Sequence, residues 1–192
     1  MEKFTKIINK PIEIIKDFTI FKGNKINILQ NKETEWTKST DKVFVLPYIV
    51  SENSFLLKNE PVTPYISKNK NTKQKSHYLT TIGGKMKQEE SPQQTIKRKL
   101  YEDCGILLSD MYEIKIEGPF FYSKISEDQY YISTMILNPN DFRKTFIGIP
   151  QSDYDKDSML LKINLNDINN ILIPDLYSAY MLEKLKNLLN IK

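Results

Sequence analysis

The chain has 192 residues, of which 40% are hydrophobic and 27% charged, as is typical of a globular domain. Its one cysteine and one histidine exclude an internal disulfide and a His/Cys metal cluster, so a metal would be held by oxygen ligands. The formal net charge of +4 does not by itself indicate nucleic-acid binding. No apolar run approaches the roughly 20 residues that span a bilayer, and residues 1–8 lack a signal peptide's apolar core. We therefore expect a cytoplasmic protein with no membrane partner.

Strand signals dominate the N-terminal part of the chain. Residues 18–29 predict a β-hairpin, because two apolar alternating runs flank a turn at Gly23. Residues 31–41 are polar and predict a loop or an edge strand. Within them, Trp36 is expected to be a packing anchor or a dimer contact in preference to a ligand-stacking residue.

A central strand is predicted next. Residues 43–50 have its apolar composition, and Pro47 within them indicates a bulge or a sheet edge. Residues 55–60 predict the returning strand. Residues 67–77 contain four lysines and no apolar residue, and predict a surface loop that is solvated or holds phosphates or RNA. His77 is expected to be structural or exposed.

The remaining elements predict an α+β fold with a mixed sheet covered by helices. Short strands are expected at 78–82, 130–137 and 159–165, a strand pair or bent strand at 112–122, and a long loop at 138–154. A helix opened by Pro174-Asp175 should run to about residue 190, with an apolar face of Met181, Leu182, Leu185, Leu188 and Leu189. We assign residues 1–40 to an N-terminal strand extension and residues 41–192 to the main domain.

The clearest local signal is a helix over residues 92–104, preceded by an expected glycine loop. Ser91 and Gln94 form a capping box, and Pro92 occupies the first helical position, where its missing N–H does no harm. Gly105 is a typical C-terminal stop. An apolar stripe repeats every four residues at Ile96, Leu100 and Cys104.

Residues 84–106 resemble the Nudix box, whose pattern is Gly, five residues, Glu, seven residues, then Arg-Glu-apolar-x-Glu-Glu-x-Gly-apolar. The matching positions are Gly84, Glu90, Arg98, Lys99, Leu100, Tyr101, Glu102, Asp103, Cys104, Gly105 and Ile106. Gly83 completes a pair that looks like the family's usual Gly-Gly. The resemblance implies a Nudix α/β/α sandwich with a central mixed sheet and an N-terminal β extension. The order of elements looks most like the ADP-ribose pyrophosphatase branch.

This resemblance also implies a chemistry. Nudix enzymes cleave a nucleoside diphosphate linked to another group, and they use Mg²⁺ (or Mn²⁺) to neutralise the diphosphate and to activate water. By position it implies catalytic roles for Arg98, Lys99, Glu102 and Asp103, metal ligation by Glu90, Glu102 and Asp103, and substrate binding by Gly83, Gly84 and Lys85. It further implies a nucleotide or nucleotide-sugar as ligand and a homodimer formed through the N-terminal strands.

The box is degenerate at one position that matters. Lys99 stands where the family has a carboxylate, and a protonated lysine cannot ligate Mg²⁺ and repels it. Lys99 could hold a phosphate directly in place of a metal, or could extend out of a dead site. Asp103, in place of Glu, shortens the reach by one methylene. Candidates for a completing carboxylate are Glu127, Asp128, Asp153, Asp155 and Asp157.

Two hypotheses follow, and whether the protein is an enzyme stays open between them. The first is a metal-dependent hydrolase of ADP-ribose-like compounds. The second is a weakly active or inactive Nudix-fold protein that binds a nucleotide or serves in a larger assembly, with nucleic acid as a less supported partner. The isopentenyl diphosphate isomerase branch also departs from a carboxylate at this position, but it needs a catalytic cysteine, and Cys104 lies on the apolar stripe.

Overall fold

A computed structural model describes the chain in seven segments, which are residues 18–22, 27–30, 35–38, 40–61, 77–121, 128–144 and 158–191. The three N-terminal strands belong to one compact unit, and the described residues from 40 to 120 and from 129 to 191 form another. The assignment of residues 1–40 to a strand extension and residues 41–192 to the main domain stays a prediction. None of the described helices is long and apolar enough to cross a membrane.

The N-terminal unit contains an antiparallel sheet of three strands. They are β1 (Phe18–Lys22), β2 (Asn27–Gln30) and β3 (Glu35–Lys38), in the order β1-β2-β3. The hairpin and the strand extension are therefore confirmed, and residues 35–38 form an edge strand. The loop 67–76, the hairpin turn and the side chain of Trp36 lie outside the described part of the chain.

The second unit is built on a mixed sheet. Its strands are β4 (Lys42–Ile49), β5 (Ser54–Pro61), β6 (His77–Thr80), β7 (Ile82–Lys85), β9 (Glu117–Phe121), β10 (Gln129–Leu137) and β12 (Met159–Asn164). The order is β12-β5-β4-β10-β9, with β6 beside β5 and β7 beside β4. β4 pairs parallel with β10 and antiparallel with β5 and β7. A separate pair is formed by β8 (Ile106–Leu108) and β11 (Phe142–Lys144).

Two helices cover opposite faces of β4. Its alternate side chains enter two different apolar clusters, because successive residues of a strand point to opposite sides. Val43 and Val45 pack with helix α1 (Pro92–Cys104), and Leu46 and Tyr48 pack with helix α2 (Leu176–Leu188). This arrangement confirms the predicted α+β fold and the α/β/α sandwich.

Pro47 corrects one prediction. β4 is an internal strand, and its pairing with β10 runs without a break through Met135 and Pro47. On the other edge of β4, β7 pairs with residues 42–45 and β5 pairs with residues 48 and 49. Among the described strands, Pro47 lies in the gap between these two partners, where a missing N–H removes no ladder hydrogen bond. It therefore marks neither a bulge nor a sheet edge.

The expected glycine loop is also wrong. Gly83 and Gly84 lie inside β7, where they pair with Phe44 and Val43. A Cβ on Gly83 would lie 2.6 Å from Cδ1 of Phe44 and 2.9 Å from the carbonyl oxygen of Val43. Glycine at this position allows the close packing of a strand.

Three further predictions need correction. Of the strand pair or bent strand expected at 112–122, the described residues contain only β9, and the strand β8 was not predicted. The expected loop at 138–154 contains β11 within its described part. Leu188 is 48% exposed, so the apolar face of α2 ends at Leu185 and the partly buried Leu189.

Candidate functional site

Helix α1 positions the site, and its ends follow from local signals. Oγ of Ser91 accepts a hydrogen bond from the N–H of Gln94 at 3.3 Å, and the N–H of Ser91 donates to Oε1 of Gln94 at 2.8 Å. Gly105 ends the helix with a left-handed φ of 63°, which glycine adopts without steric cost. The predicted bounds, capping box and apolar stripe are confirmed. Together they determine which face of α1 packs on the sheet.

Glu90 lies before α1 and is held by protein donors at both carboxylate oxygens. Arg98 binds it with two nitrogens, Nε to Oε1 and Nη2 to Oε2, each at 2.7 Å. Oε2 also accepts from Oγ1 of Thr95 at 2.8 Å and from the N–H of Lys87 at 3.0 Å. The Arg98 hydrogen bonds are the main reason that the pKa of Glu90 falls to about 2. Through these hydrogen bonds, Glu90 holds residues 87–90 against α1.

Arg98 extends this contact toward the sheet. Its Nη1 donates to Oε2 of Glu102 at 3.0 Å, and its Nη2 donates to the carbonyl oxygen of Lys85 at 3.0 Å. One guanidinium thus connects both box glutamates with the last residue of β7. Its planar, branched geometry allows several directed hydrogen bonds at once.

Lys99 is buried, with only 7% of the residue exposed. Its Nζ donates to Oδ1 of Asp103 at 2.9 Å and lies 3.5 Å from Oε2 of Glu102. A Cβ on Gly84 would lie 2.9 Å from Cδ of Lys99, so glycine at position 84 lets the lysine stem lie against the sheet. The alternative that Lys99 extends into solvent is therefore excluded.

Lys58 is a member of this cluster that sequence reasoning missed. It lies on β5, and its Nζ is 3.5 Å from Oδ2 of Asp103 and 3.2 Å from Oε1 of Glu60. Leu56, two residues earlier, packs in the apolar cluster of α1. Strand alternation therefore places Lys58 and Glu60 on that same covered face. The sequence did contain a signal for this cluster. Lys58 and Glu60 follow Leu56 at alternate positions of one strand, so charged residues could have been expected on its covered face.

A cleft of about 310 Å³ opens beside this cluster. It is lined by Gly84, Lys85, Met86, Lys87, Arg98, Lys99 and Glu102. The lining contains four cationic side chains and one carboxylate. We expected Gly83 to bind substrate, but it is not among the described residues that line the cleft. The position of its missing Cβ faces Phe44.

The predicted metal ligands do not fit a metal ion in this arrangement. Glu90, Glu102 and Asp103 each contact at least one cationic side chain. In the described segments, no group of three or more His, Cys, Asp or Glu side chains has a geometry that could hold a metal. Burial raises the pKa of the Cys104 thiol, which suits a packing role for that residue.

The carboxylates considered as a completing ligand fall in two groups. Asp128 is buried. The others lie outside the described residues, and they are Glu127, Asp153, Asp155 and Asp157. For all five, a role in the site stays a prediction.

The fold can be compared with known proteins. No protein-family model matches the sequence, and no curated protein is similar to it in sequence. The crystal structure of an ADP compounds hydrolase is similar in fold, with a TM-score of 0.59 and 12% sequence identity over 92% of each chain. Identity this low shows the fold and carries neither activity nor substrate. The chain accordingly has the α/β/α fold that the Nudix resemblance implied, and helix α1 lines one side of a cationic cleft.

Proposed function

We propose that the protein binds the diphosphate group of a nucleotide or nucleotide-sugar, such as an ADP-ribose-like compound, in this cleft, and does not hydrolyse it. The observation that carries the proposal is the charge of the cleft. Lys85, Lys87, Arg98 and Lys99 line it against the single carboxylate of Glu102. Such a surface attracts anions, and guanidinium and ammonium groups are the side chains that bind phosphate oxygens.

The size of the cleft and the exposure of its lysines support a small anionic ligand. Its volume of about 310 Å³ lies at the lower end of the range of small-molecule sites. Lys85 and Lys87 are exposed, so their ammonium groups can reach a ligand that enters from solvent. Arg98 and Lys99 lie deeper and are already oriented by Glu90, Glu102 and Asp103.

The same contacts argue against hydrolysis. Hydrolysis of a diphosphate in this fold depends on divalent metals that are held by carboxylates and that activate water. Here those carboxylates are bound to Arg98, Lys99 and Lys58. A diphosphate in the cleft therefore meets fixed cationic side chains.

The proposal can be tested by calorimetry with ADP-ribose in the presence of EDTA. The native protein should bind without metal. Lys85→Met with Lys87→Met should weaken binding by about tenfold or more, which corresponds to at least about 1.4 kcal/mol. The matched control is Lys97→Met, because Lys97 is exposed on α1 and outside the cleft lining. The proposal fails if the native protein binds neither ADP-ribose nor ADP at millimolar concentration.

Metal-dependent hydrolysis is the second candidate. It is favoured by the fold shared with an ADP compounds hydrolase over 92% of the chain and by the box spacing of Glu90, Arg98, Glu102 and Asp103. On this candidate, Mg²⁺ or Mn²⁺ would support release of AMP from ADP-ribose. Turnover above that of a Glu102→Gln variant would establish it, and turnover equal to the variant would exclude it.

A homodimer formed through β1–β3 is a further part of the proposal. Its support is the position of these strands at the N-terminus, as in the branch that the sequence resembles most. Light scattering on a size-exclusion column would show twice the chain mass of 22.6 kDa for a dimer. A monomer at micromolar concentration would remove the claim.

A further inference from the structure

The charged side chains around α1 form one continuous series in which the sign alternates. Its order is Glu60, Lys58, Asp103, Lys99, Glu102, Arg98 and Glu90. Every cation in the series lies between two carboxylates. Asp103 uses one oxygen for each of two ammonium groups, Oδ1 for Lys99 at 2.9 Å and Oδ2 for Lys58 at 3.5 Å.

The centre of this series is withdrawn from water. The exposed side-chain fractions of Lys58, Asp103 and Lys99 are 8%, 7% and 9%. A buried charge without a partner is strongly unfavourable, whereas a buried cation between two carboxylates is compensated on both sides. Burial of the two lysines therefore depends on the charge of Asp103, and burial of Asp103 depends on the charges of the lysines.

An ammonium group and a divalent metal ion place carboxylates differently. The Lys58 and Lys99 nitrogens lie 2.9–3.5 Å from their carboxylate oxygens, whereas Mg²⁺ requires oxygens at about 2.0–2.1 Å in octahedral geometry. Among the described residues, no group of three or more Asp, Glu, His or Cys side chains is placed to hold a metal ion, as expected where the carboxylates surround two ammonium groups. These carboxylates also have little net negative charge left to attract a metal ion.

We propose that the ammonium groups of Lys58 and Lys99 are built-in replacements for divalent cations. They neutralise the carboxylates at the box helix permanently, so this protein takes up neither Mg²⁺ nor Mn²⁺ there. Lys58, on β5 and outside the box, is as much a part of this device as Lys99. The inference goes beyond the proposed function, because it concerns metal uptake and requires no nucleotide.

The first test uses the native protein and Mn²⁺ alone, measured by calorimetry and by the electron paramagnetic resonance signal of free Mn²⁺. We expect no saturable binding below about 1 mM, the concentration that corresponds to about −4 kcal/mol. Binding at micromolar Mn²⁺ would overturn the inference. Since nucleotide is absent, this result does not depend on whether the cleft binds ADP-ribose.

The second test removes both ammonium groups and keeps most of their apolar stems, as Lys58→Met with Lys99→Met. Glu60, Glu102 and Asp103 then lack these cations, and their side chains can close on a metal ion. We expect Mn²⁺ binding at least about tenfold tighter than in the native protein, and a melting temperature that rises with Mn²⁺ concentration. A folded double variant that binds Mn²⁺ no better than the native protein would also overturn the inference.

A matched control is available at the surface. Lys144 and Lys162 both contact Glu52, a single carboxylate between two lysines. Lys144→Met with Lys162→Met removes the same charge but exposes only one carboxylate, so Mn²⁺ binding should not change. If the double variant at the cluster does not fold, Lys58→Met alone and the native measurement decide the question.

Discussion

The two faces of β4 are covered by helices of equal length, 13 residues each, but the two interfaces differ in chemistry. Below α1, the apolar cluster borders a series of buried charges that includes Lys99. Below α2, the contacts are apolar and aromatic, with the rings of Phe44, Tyr130 and Tyr177 stacked at centroid distances of 4.9–5.8 Å. A buried ion pair is weak support for stability, which agrees with the binding role proposed for the charged face.

At Ser178, the polar contacts between α2 and the sheet are made by neutral groups. Oγ of Ser178 accepts from the N–H of Thr81 at 2.8 Å and lies within 3.2 Å of the hydroxyl oxygens of Thr80 and Thr81. Ser178 is fully buried at the first turn of α2, and this cluster fastens the helix to the segment between β6 and β7. The α2 face stabilises the fold, and the α1 face presents charge.

The largest expected effect is on the charged face. Asp103→Ala leaves two buried ammonium groups without their shared carboxylate, and it should lower the free energy of unfolding by about 3–5 kcal/mol. Urea denaturation measures the change. Glu52→Ala removes a carboxylate from two lysines that are 48% and 60% exposed, and it should cost about 1 kcal/mol or less. Equal losses would remove the distinction between the buried series and an ordinary surface cluster.

On the apolar face, Leu185→Ala should lower the free energy of unfolding by about 2–5 kcal/mol, because it opens a cavity at a fully buried position. The affinity for ADP-ribose should stay unchanged, since Leu185 does not line the cleft. Denaturation and calorimetry on the same sample separate the two quantities. A loss of affinity in the folded variant would show that the two faces are coupled.

Substitution of the two adjacent glycines of β7 compares the two faces of the sheet, because a Cβ on Gly83 would meet Phe44 and a Cβ on Gly84 would meet Lys99. Gly83→Ala should cost about 1–3 kcal/mol, since the new Cβ would meet the backbone carbonyl of Val43, which cannot move aside. Gly84→Ala should cost less stability, because Lys99 Cδ belongs to a flexible side chain, but it should weaken ADP-ribose binding by displacing the ammonium group. The reverse ranking of the two variants in stability would contradict this account.

The smallest expected effect is the pH dependence of the stability that Glu90 contributes. Arg98 holds the pKa of Glu90 at about 2, below the ordinary value of 4.5. A carboxylate with a lowered pKa stabilises the folded state above its unfolded pKa, and that contribution is lost as the pH falls from about 4.5 to 2. Glu90→Gln should therefore be less stable than the native protein by about 1 kcal/mol at pH 7, a modest value because the pair reaches solvent. The difference in free energy of unfolding between the two proteins should shrink as the pH falls, as urea denaturation at several pH values would show. A difference that stays constant with pH would mean that packing, and not charge, causes the loss of stability.

Local signals explain what the sequence could predict. The bounds of α1 depend on Ser91, Gln94 and Gly105, which act within one or two turns, and the spacing of the box places Glu90 just before α1 and Arg98 within it. The contact between Lys58 and Asp103 joins β5 to α1, and no sequence spacing relates residues that meet only through the tertiary fold. The surroundings of Pro47 and of Gly83-Gly84 likewise depend on which strands lie beside them. Strands of three residues, such as β8 and β11, carry too short a pattern to be recognised.

The parallel pairing of β4 with β10 has a consequence for the synthesis of the protein. Residue 42 is aligned with residue 130 at one end of the pair, so the middle of the sheet cannot close until the ribosome has released most of the chain. Contacts between residues so distant in sequence are formed slowly, and a nascent chain that carries only β4, β5 and β7 keeps one apolar strand edge open. Helix α1, whose signals are local, can form earlier and shield Val43 and Val45 during that interval.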